Sequence, residues 1–451
     1  MFLFLNTQKI SKEKTLILLV SFLTFISWNY LGLLFPICIY LFLIFYDEIK
    51  IKSLIKQIIY VYIFWIAVNI GSIFWLYSIP FHRFVSIILF SSFLMLISSS
   101  ILLFTKSKVG FLLCWVFFEY LFTKWDLAWP WLTLGNVMGN QWYLVQWYSV
   151  FGVYGGSIWI ICIGMSIYSI SKNKNKIINI ALLSLLFLLP IYSLISIFFT
   201  ETTNSIKYKA VCFTPLYEYS NYERTKSLAK YVNSSPELFD FVITPELFYN
   251  DISLSDLDKP AFESFYKIIF EKNIDTKIFI GSDIKNNDNL FNGTLFINHN
   301  SFFFKSKKKY VPITEYTPTL LSPIFGSSFY TKNISDDTDC IYTESNIIPI
   351  LCYEILFSDF VAKKVKYNSF ILLSTSENFI KNSFGNEQYL NIVRLRAIEN
   401  SKYLIKCSNG GISCLISPRG FVINELDSEF NTISIPERLN ESFYSKFINS
   451  L

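Results

Sequence analysis

The sequence predicts a polytopic α-helical membrane domain followed by an α/β domain outside the membrane. Three observations support this prediction. The 451 residues are 52% hydrophobic and 19% aromatic, and their mean hydropathy of +0.40 is too high for an ordinary soluble protein. The long apolar runs lie almost entirely before residue 200, whereas residues 201–451 have the composition of a globular domain. Lysines cluster on one side of the apolar runs.

Seven apolar runs are candidate transmembrane helices, because a bilayer core of about 30 Å requires about 20 apolar residues per helix. They occupy residues 15–29, 31–46, 57–77, 84–104, 109–123, 147–170 and 177–199. The connections on one side carry eleven lysines, whereas those on the other side carry Arg83 and Lys124. Because basic residues favour the cytoplasm, we predict that a domain of about seven helices at residues 1–200 delivers residues 201–451 to the extracytoplasmic face.

An aromatic, proline-interrupted segment at residues 125–136 separates the fifth and sixth runs. Pro130 disfavours a regular spanning helix, and the tryptophans around it are typical of the outer membrane interface. The segment either anchors the protein in the interfacial belt or forms a re-entrant or lid segment beside a lipid-binding cleft.

Residues 201–451 alternate short β-rich segments with amphipathic helices. Predicted strands span residues 208–213, 239–244, 277–281, 294–298, 347–352, 370–374, 403–407 and 412–416. Predicted helices span residues 223–232, 256–271, 355–364 and 387–400. This alternation predicts one layered α/β domain with a largely buried sheet.

Composition argues against several function classes. The net charge of +5 is spread along the chain, which argues against nucleic acid binding. Two histidines, His82 and His299, are too few for a multi-histidine metal site and make a histidine triad hard to assemble. The eight cysteines form no CxxC pair, so neither a zinc site nor a dense disulfide framework is indicated.

Three segments place a reactive side chain directly after a predicted strand, where α/β folds gather their chemistry. They carry Glu246, the run Lys307, Lys308 and Lys309, and Cys352. Each has a simpler interpretation: an acid at a helix N-terminus, a solvated basic run and an inert buried cysteine. Together they supply a carboxylate base, a cation for an oxyanion and a thiol whose pKa a helix N-terminus lowers, as thiolate attack on an acyl carbonyl requires.

The order of these residues resembles the nitrilase superfamily, which carries Glu, Lys and Cys in this order on an αββα sandwich. With the membrane half in front, most of the chain resembles the apolipoprotein N-acyltransferase family of bacterial enzymes. The shared motifs are Trp-Pro-Trp-Leu-Thr-Leu-Gly at 129–135, Thr-Pro-Glu-Leu at 244–247, the lysine-to-proline segment at 307–318, Cys-Tyr-Glu at 352–354 and Arg-Leu-Arg-Ala-Ile-Glu-Asn at 394–400. The resemblance implies that residues 201–451 form a carbon-nitrogen hydrolase (nitrilase-like) catalytic domain.

By this resemblance Glu246 is the base, Lys307 the oxyanion stabiliser and Cys352 the nucleophile. Lys307 has the spacing of the family motif, whereas Lys308 and Lys309 are competing candidates. The supporting residues implied by the resemblance are Glu315, Tyr353, Glu354 and Asn292.

The implied reaction has two ping-pong steps and uses neither a metal nor a dissociable cofactor. Cys352 takes an acyl chain from a phospholipid, with phosphatidylethanolamine as the expected donor. The α-amino group of a diacylglyceryl-cysteine apolipoprotein then attacks the thioester. The implied location is the bacterial inner membrane, with the catalytic domain on the periplasmic or outer face.

Three departures from the family pattern bear on this interpretation. Residues 376–378 (Ser-Glu-Asn) and 388–389 (Gln-Tyr) replace the Ser-Asn-Asp or Thr-Asn-Asp and Gln-His sequences of many relatives, and the usual C-terminal eighth helix is expected to be missing. Two alternatives therefore stay open. One is a membrane-tethered nitrilase-type amidase or hydrolase, and the other is a decayed, non-catalytic family member.

Overall fold

The computed structural model describes residues 12–198, 206–214, 220–253, 260–286, 289–319, 322–332, 347–365, 370–426, 428–436 and 440–451. The chain divides into two compact units. The first comprises Met1–Leu121, Leu132–Val145 and Val153–Ile191. The second comprises Phe122–Trp131, Gln146–Gly152 and Tyr192–Leu451.

The described chain before residue 199 is largely helical. Helices α1 to α7 span Lys12–Asn29, Phe35–Ile49, Leu54–Ile73, Phe81–Thr105, Lys108–Leu121, Tyr148–Ser171 and Lys176–Phe198. Among the described residues, the helical stretches long and apolar enough to cross a membrane are Gly32–Ile49, Leu54–Ser78, Phe81–Thr105, Tyr148–Ser171 and Lys176–Phe198. These five match five of the predicted runs. Helices α1 and α5 match the other two, and a total of about seven crossings stays a prediction.

Small and polar side chains lie where helices of the first unit cross. Asn69 Nδ2 in α3 donates a hydrogen bond to Ser92 Oγ in α4 at 2.8 Å. A Cβ at Gly71 would lie 2.3 Å from the Ser21 carbonyl oxygen in α1. Close backbone approach and interhelical hydrogen bonds hold helices together in an apolar solvent, where hydrophobic burial between helices gives little driving force.

Two sheets form the centre of the described second unit. Strands β1 to β12 span Ile206–Phe213, Phe241–Ile243, Tyr249–Ser253, Lys277–Asn286, Asn289–Ile297, Phe302–Ser306, Ile347–Leu351, Phe370–Ser376, Tyr403–Asn409, Cys414–Ile416, Val422–Glu425 and Phe430–Pro436. One sheet has the order β12-β1-β2-β4-β5-β6 with β3 beside β4, and the other has the order β11-β10-β9-β8-β7. Strands β1, β2 and β4 are parallel, as are β7, β8 and β9.

Helices cover the outer faces of these sheets. Helices α8 to α13 span Asn221–Ser234, Pro260–Lys272, Ser322–Phe325, Ser358–Lys364, Ser383–Asn400 and Phe443–Ser450. One core packs α8 and α9 against the first sheet, and a second core lies between the two sheets. In α12, Tyr389 Oη lies 3.3 Å from Thr375 Oγ1 of β8 in the second sheet. The layers are therefore helix, sheet, sheet and helix, which confirms the αββα sandwich.

Alternation along β2 explains why both cores form. Val242 joins the core under α8 and α9, whereas Phe241 and Ile243 join the core between the sheets. Successive side chains of a strand point to opposite faces, so a strand buried on both faces is apolar throughout. Polar side chains are therefore concentrated in the loops beyond the strand ends, where the candidate site lies.

Candidate active site

Glu246 follows β2 in a loop that turns its carboxylate into the interior. The next residue, Leu247, has a φ of +61°, and a Cβ at Gly281 would lie 2.5 Å from Glu246 Cα. A side chain at position 281 of β4 would clash with the loop that carries Glu246, so this position requires glycine. Glu246 is 2% exposed. Its Oε1 accepts a hydrogen bond from Asn292 Nδ2 at 3.0 Å, and its Oε2 accepts one from the Ser376 N–H at 3.1 Å.

Lys307 lies one residue beyond β6, where its backbone N–H donates to the Asn292 carbonyl at 2.8 Å. Its side chain is fully buried, and Nζ lies 2.8 Å from both Glu246 Oε1 and Glu315 Oε1. Burial disfavours the ammonium charge, but the two carboxylates outweigh burial and raise the pKa of Lys307 well above its usual value. Of the three consecutive lysines, this one is held as a permanent cation between carboxylates.

Cys352 begins the short 3-10 helix Cys352–Leu356 directly after β7, with a φ of +39°. For a residue with a Cβ this left-handed backbone costs about 1–3 kcal/mol. Its Sγ lies 4.0 Å from the Ser376 carbonyl oxygen. Burial and the negative charge of Glu246 raise the pKa of the thiol. The prediction that a helix N-terminus lowers this pKa is therefore wrong, and the protonated thiol requires a base.

Glu354 connects the segments that carry the lysine and the cysteine. Its Oε1 accepts a hydrogen bond from the Lys308 N–H at 2.7 Å, and its Oε2 accepts one from the Leu351 N–H at 3.1 Å. Lys308 follows Lys307, and Leu351 precedes Cys352. This single carboxylate therefore holds the cation and the nucleophile at a fixed spacing.

Glu315 lies on the other side of Lys307. Its Oε2 accepts a hydrogen bond from the Val311 N–H at 2.8 Å, and its backbone carbonyl accepts from the N–H groups of Phe329 and Tyr330 at 3.1 and 3.0 Å. Burial raises the pKa of Glu315 although the charge of Lys307 opposes this shift. The loop after β6 is thus fixed around a carboxylate that also contacts the buried cation.

Two tyrosines connect the cysteine to the aromatic segment between α5 and α6. Tyr353 Oη donates to the Ala128 carbonyl at 2.7 Å, and the ring of Tyr389 stacks on Trp131 at 5.8 Å between centroids. Tyr389 Oη also donates to the Cys352 carbonyl at 2.9 Å. This part of the aromatic segment therefore packs beside the candidate nucleophile, which favours its interpretation as a segment bordering the site.

Sequence reasoning missed Asp283, which lies opposite Asn292 in the β4–β5 pairing. Tyr330 Oη donates to Asp283 Oδ2 at 2.9 Å, whereas Asp283 Oδ1 and Asn292 Oδ1 have no hydrogen-bond partner among the described residues. Burial raises the pKa of Asp283 to about 7. The predicted strand at residues 277–281 ended before Asp283, and the signal that could have identified it was a carboxylate two residues beyond an apolar run.

Glu377, in the segment that departs from the family pattern, forms a separate buried ion pair. Its carboxylate contacts Lys406, and Ser408 Oγ donates to Glu377 Oε1 at 2.7 Å. A Cβ at Gly411 would lie 2.4 Å from that carboxylate. The departure at this position is therefore accommodated locally, and the neighbouring Ser376 still contacts Glu246 and Cys352 through its backbone.

The structure brings the predicted site residues into one cluster of a carboxylate, a permanent cation and a protonated thiol. Asn292, Glu315 and Glu354 hold this cluster, and Tyr353 flanks it. No group of three or more His, Cys, Asp and Glu side chains in the described part of the chain could hold a metal ion. Acyl transfer to the thiol is the chemistry that this set of groups can perform.

Comparison with known families identifies a domain in each half of the chain. The apolipoprotein N-acyltransferase N-terminal domain matches residues 17–166. The carbon-nitrogen hydrolase family matches residues 235–441, which include the candidate base, lysine and cysteine.

Three bacterial proteins, each named apolipoprotein N-acyltransferase, illustrate the similarity. The protein of Wigglesworthia glossinidia brevipalpis is 28% identical over 407 residues, covering 83% of this chain and 79% of that protein. The protein of Rickettsia prowazekii is 28% identical over 423 residues, covering 86% of this chain and 83% of that protein. The protein of Haemophilus influenzae is 25% identical over 346 residues, covering 70% of this chain and 66% of that protein.

Proposed function

The chain belongs to the apolipoprotein N-acyltransferase family, and we propose that it N-acylates lipoproteins through a thioester on Cys352. The observation that carries this proposal is the buried cluster in which Lys307 bridges Glu246 and Glu315 while their charges act on the cysteine thiol. Acyl transfer through a cysteine that is protonated at neutral pH requires a base for the proton and a cation for the oxyanion.

In the first half-reaction a phospholipid donates its acyl chain to the enzyme. Glu246 takes the thiol proton of Cys352, and the sulfur attacks the ester carbonyl carbon. Lys307 stabilises the negative charge that develops on the carbonyl oxygen. The tetrahedral intermediate expels the glycerol oxygen, which receives the proton from Glu246. The products are a lysophospholipid and an acyl thioester on the cysteine.

In the second half-reaction the lipoprotein substrate accepts the acyl chain. The α-amino group of its diacylglyceryl-cysteine attacks the thioester carbonyl, and Glu246 takes a proton from the attacking nitrogen. Lys307 again stabilises the oxyanion. Collapse of the intermediate forms the amide and expels the Cys352 sulfur, which is reprotonated. The two half-reactions therefore use the same base, cation and sulfur in a ping-pong sequence.

The membrane contributes to this reaction through effective concentration. Among the described residues, five helices are long and apolar enough to cross a bilayer, as in a membrane protein. The proposed donor is a membrane lipid, and the proposed acceptor is anchored in the membrane by its diacylglyceryl group. Confining the enzyme to the same membrane lowers the entropic cost of bringing them together. The shared name of the relatives favours lipoprotein N-acylation over the hydrolase and the decayed protein that the sequence left open.

We also propose phosphatidylethanolamine as the donor, the bacterial inner membrane as the location, and the periplasmic or outer face for the catalytic domain at residues 201–451. The asymmetric distribution of lysines in residues 1–200 supports this orientation. A reporter enzyme fused after residue 200 should be active on the outer face. Activity of that fusion only in the cytoplasm would reverse the orientation.

The proposed reaction is tested with purified full-length protein, phosphatidylethanolamine and a synthetic diacylglyceryl-cysteine peptide. We expect the peptide to gain the mass of one acyl chain, with one lysophospholipid released per peptide. Initial rates at several peptide concentrations should give parallel double-reciprocal lines, as a ping-pong reaction requires. Release of free fatty acid without peptide acylation would instead assign a hydrolase.

A further inference from the structure

A cleft of about 100 Å³ in the second unit is lined by lysine side chains from separate parts of the sequence. Its basic walls are Lys124, Lys308, Lys309 and Lys332. Lys124 directly precedes the aromatic segment, two lysines directly follow the buried Lys307, and Lys332 comes from a later loop. The fold therefore gathers positive charge that the sequence distributes widely.

Two of these lysines are neutralised by aspartates. Lys124 pairs with Asp359, and Lys332 Nζ lies 2.5 Å from Asp126 Oδ1. No ion pair of Lys308 or Lys309 occurs within the described residues. The cleft therefore retains two positive charges without an acidic partner.

Lys309 lies half-buried in the cleft. Its Nζ lies 3.5 Å from the Thr123 carbonyl oxygen and 4.8 Å above the Phe357 ring. Burial lowers the pKa of Lys309, and the charges of Lys124 and Lys332 lower it further against the opposing effect of Asp359. An anion in the cleft would relieve this repulsion.

The cleft adjoins the catalytic cluster through a shared wall. Tyr310 lines the cleft, and the charges of Lys307 and Glu315 act on its hydroxyl. The backbone N–H of Lys308 donates to Glu354 Oε1, which also holds the residue before Cys352. A bound anion would therefore lie beside the segment that carries Lys307.

We propose that this cleft binds the phosphodiester of the phospholipid that donates the acyl chain. The proposal rests on the acyl transfer proposed above and deepens it by assigning the headgroup end of the donor. A phosphodiester carries one negative charge and lies only a glycerol backbone away from the ester carbonyl that the cysteine attacks. Two unneutralised lysines match that charge, and ammonium groups are common ligands of phosphate oxygens.

The test measures acylation of Cys352 by phosphatidylethanolamine in detergent micelles as a function of donor concentration. The variant Lys308→Gln/Lys309→Gln removes the two positive charges of the cleft that have no acidic partner among the described residues. We expect its half-saturating donor concentration to rise about tenfold, because charge-assisted contacts to phosphate are lost. The variant Lys309→Arg keeps the positive charge and should therefore retain most of the wild-type affinity for the donor. Transfer from pre-acylated enzyme to the peptide should keep its rate, since the phosphodiester has by then left with the lysophospholipid.

The matched control is Lys363→Gln, an exposed lysine on α11. An equal rise in this control, or an unchanged half-saturating concentration in the double variant, would overturn the proposal.

Inorganic phosphate distinguishes a free-anion site from a headgroup site. If phosphate protects the cleft lysines from acetylation while the double variant leaves the donor dependence unchanged, the site binds free phosphate and the proposal is wrong. If wild type itself forms no acyl-enzyme, the proposed function fails instead.

Discussion

Two buried charge networks in the second unit contain similar ion pairs but have different surroundings. In one, Lys307 lies between Glu246 and Glu315. In the other, Arg396 Nη1 lies 2.5 Å from Glu399 Oε2, and both side chains are fully buried. Taking such charges out of water is costly in both places, so each network requires close polar partners.

The Arg396 network is completed by hydrogen bonds within the protein. Arg396 Nε donates to the Ile355 carbonyl at 2.9 Å, and Ser358 Oγ donates to Glu399 at 3.0 Å. Tyr444 Oη lies 2.7 Å from the same Ser358 hydroxyl. These contacts connect α11, α12 and the C-terminal α13, which is a structural role for the Arg-Leu-Arg-Ala-Ile-Glu-Asn motif.

The Lys307 network lies instead beside groups that are strained or incompletely bonded. Cys352 has a left-handed backbone, and buried acceptors of Asp283 and Asn292 have no partner among the described residues. Burial of charge therefore does not by itself distinguish a reactive site from a structural one. A strained nucleophile and unmade hydrogen bonds beside the charge make that distinction.

The largest expected effect is the loss of the base. Glu246→Gln preserves the shape of the side chain but cannot take the Cys352 proton, so acylation should slow by a factor of about 10²–10⁴. Lys307 retains Glu315, and we therefore expect the fold to persist. The exposed Glu387→Gln is the control. The rate of acyl-enzyme formation tests the loss of the base, and the thermal unfolding midpoint tests whether the fold persists. A normal rate in Glu246→Gln would exclude Glu246 as the base.

The matching change in the structural network should affect stability rather than rate. Glu399→Gln leaves Arg396 buried without a carboxylate, which should cost about 3–5 kcal/mol of unfolding free energy. Acylation per folded molecule should stay at the wild-type rate. Denaturant unfolding measures the first effect. A slow acylation rate in correctly folded Glu399→Gln would remove the distinction between the two networks.

A smaller effect is expected where a carboxylate positions the site without reacting. Glu354→Gln retains one acceptor oxygen and loses one charge-assisted hydrogen bond, either from the Lys308 N–H or from the Leu351 N–H. We expect the acylation rate at saturating donor to fall about tenfold, with little change in half-saturating donor concentration. A change confined to donor affinity would contradict a positioning role.

The last expected effect concerns pH and stability rather than the acylation rate. The pKa of Asp283 is raised from 3.8 to about 7, so the folded state binds a proton that the unfolded state has released between these values. The burial penalty of Asp283 is absent below about pH 4, grows as pH rises to about 7, and is constant above it. Asp283→Asn should therefore gain stability relative to wild type across this window. Unfolding midpoints at several pH values test this, and a pH-independent difference would contradict it.

The sequence predicted the elements with strong apolar patterns. Within the described residues, all eight predicted strands and four predicted helices of the second unit are present, with most ends shifted by a few residues, and residues 256–259 of the predicted helix at 256–271 lie outside the described residues. Strands β3, β6, β11 and β12 were missed because they are short, polar or at sheet edges, where burial imposes no continuous apolar run. Helix α13 was also missed, because an eight-residue segment provides little periodicity.

The site was only partly predictable for a related reason. Glu246 and Cys352 lie at the ends of predicted strands, so their positions carried a local signal, whereas Lys307 follows the missed strand β6 and was identified by the spacing of the family motif. Asp283 lies within a strand, and its environment depends on a cross-strand neighbour. The lysine cleft combines Lys124 with residues almost two hundred positions later, a proximity that only the folded chain reveals.

The thioester is tested most directly by intact mass spectrometry of the full-length protein after incubation with phosphatidylethanolamine. Wild type should gain one acyl chain that neutral hydroxylamine removes, whereas Cys352→Ala should gain none. An adduct of equal yield on the variant, or none on folded wild type, would contradict a Cys352 thioester as the central intermediate.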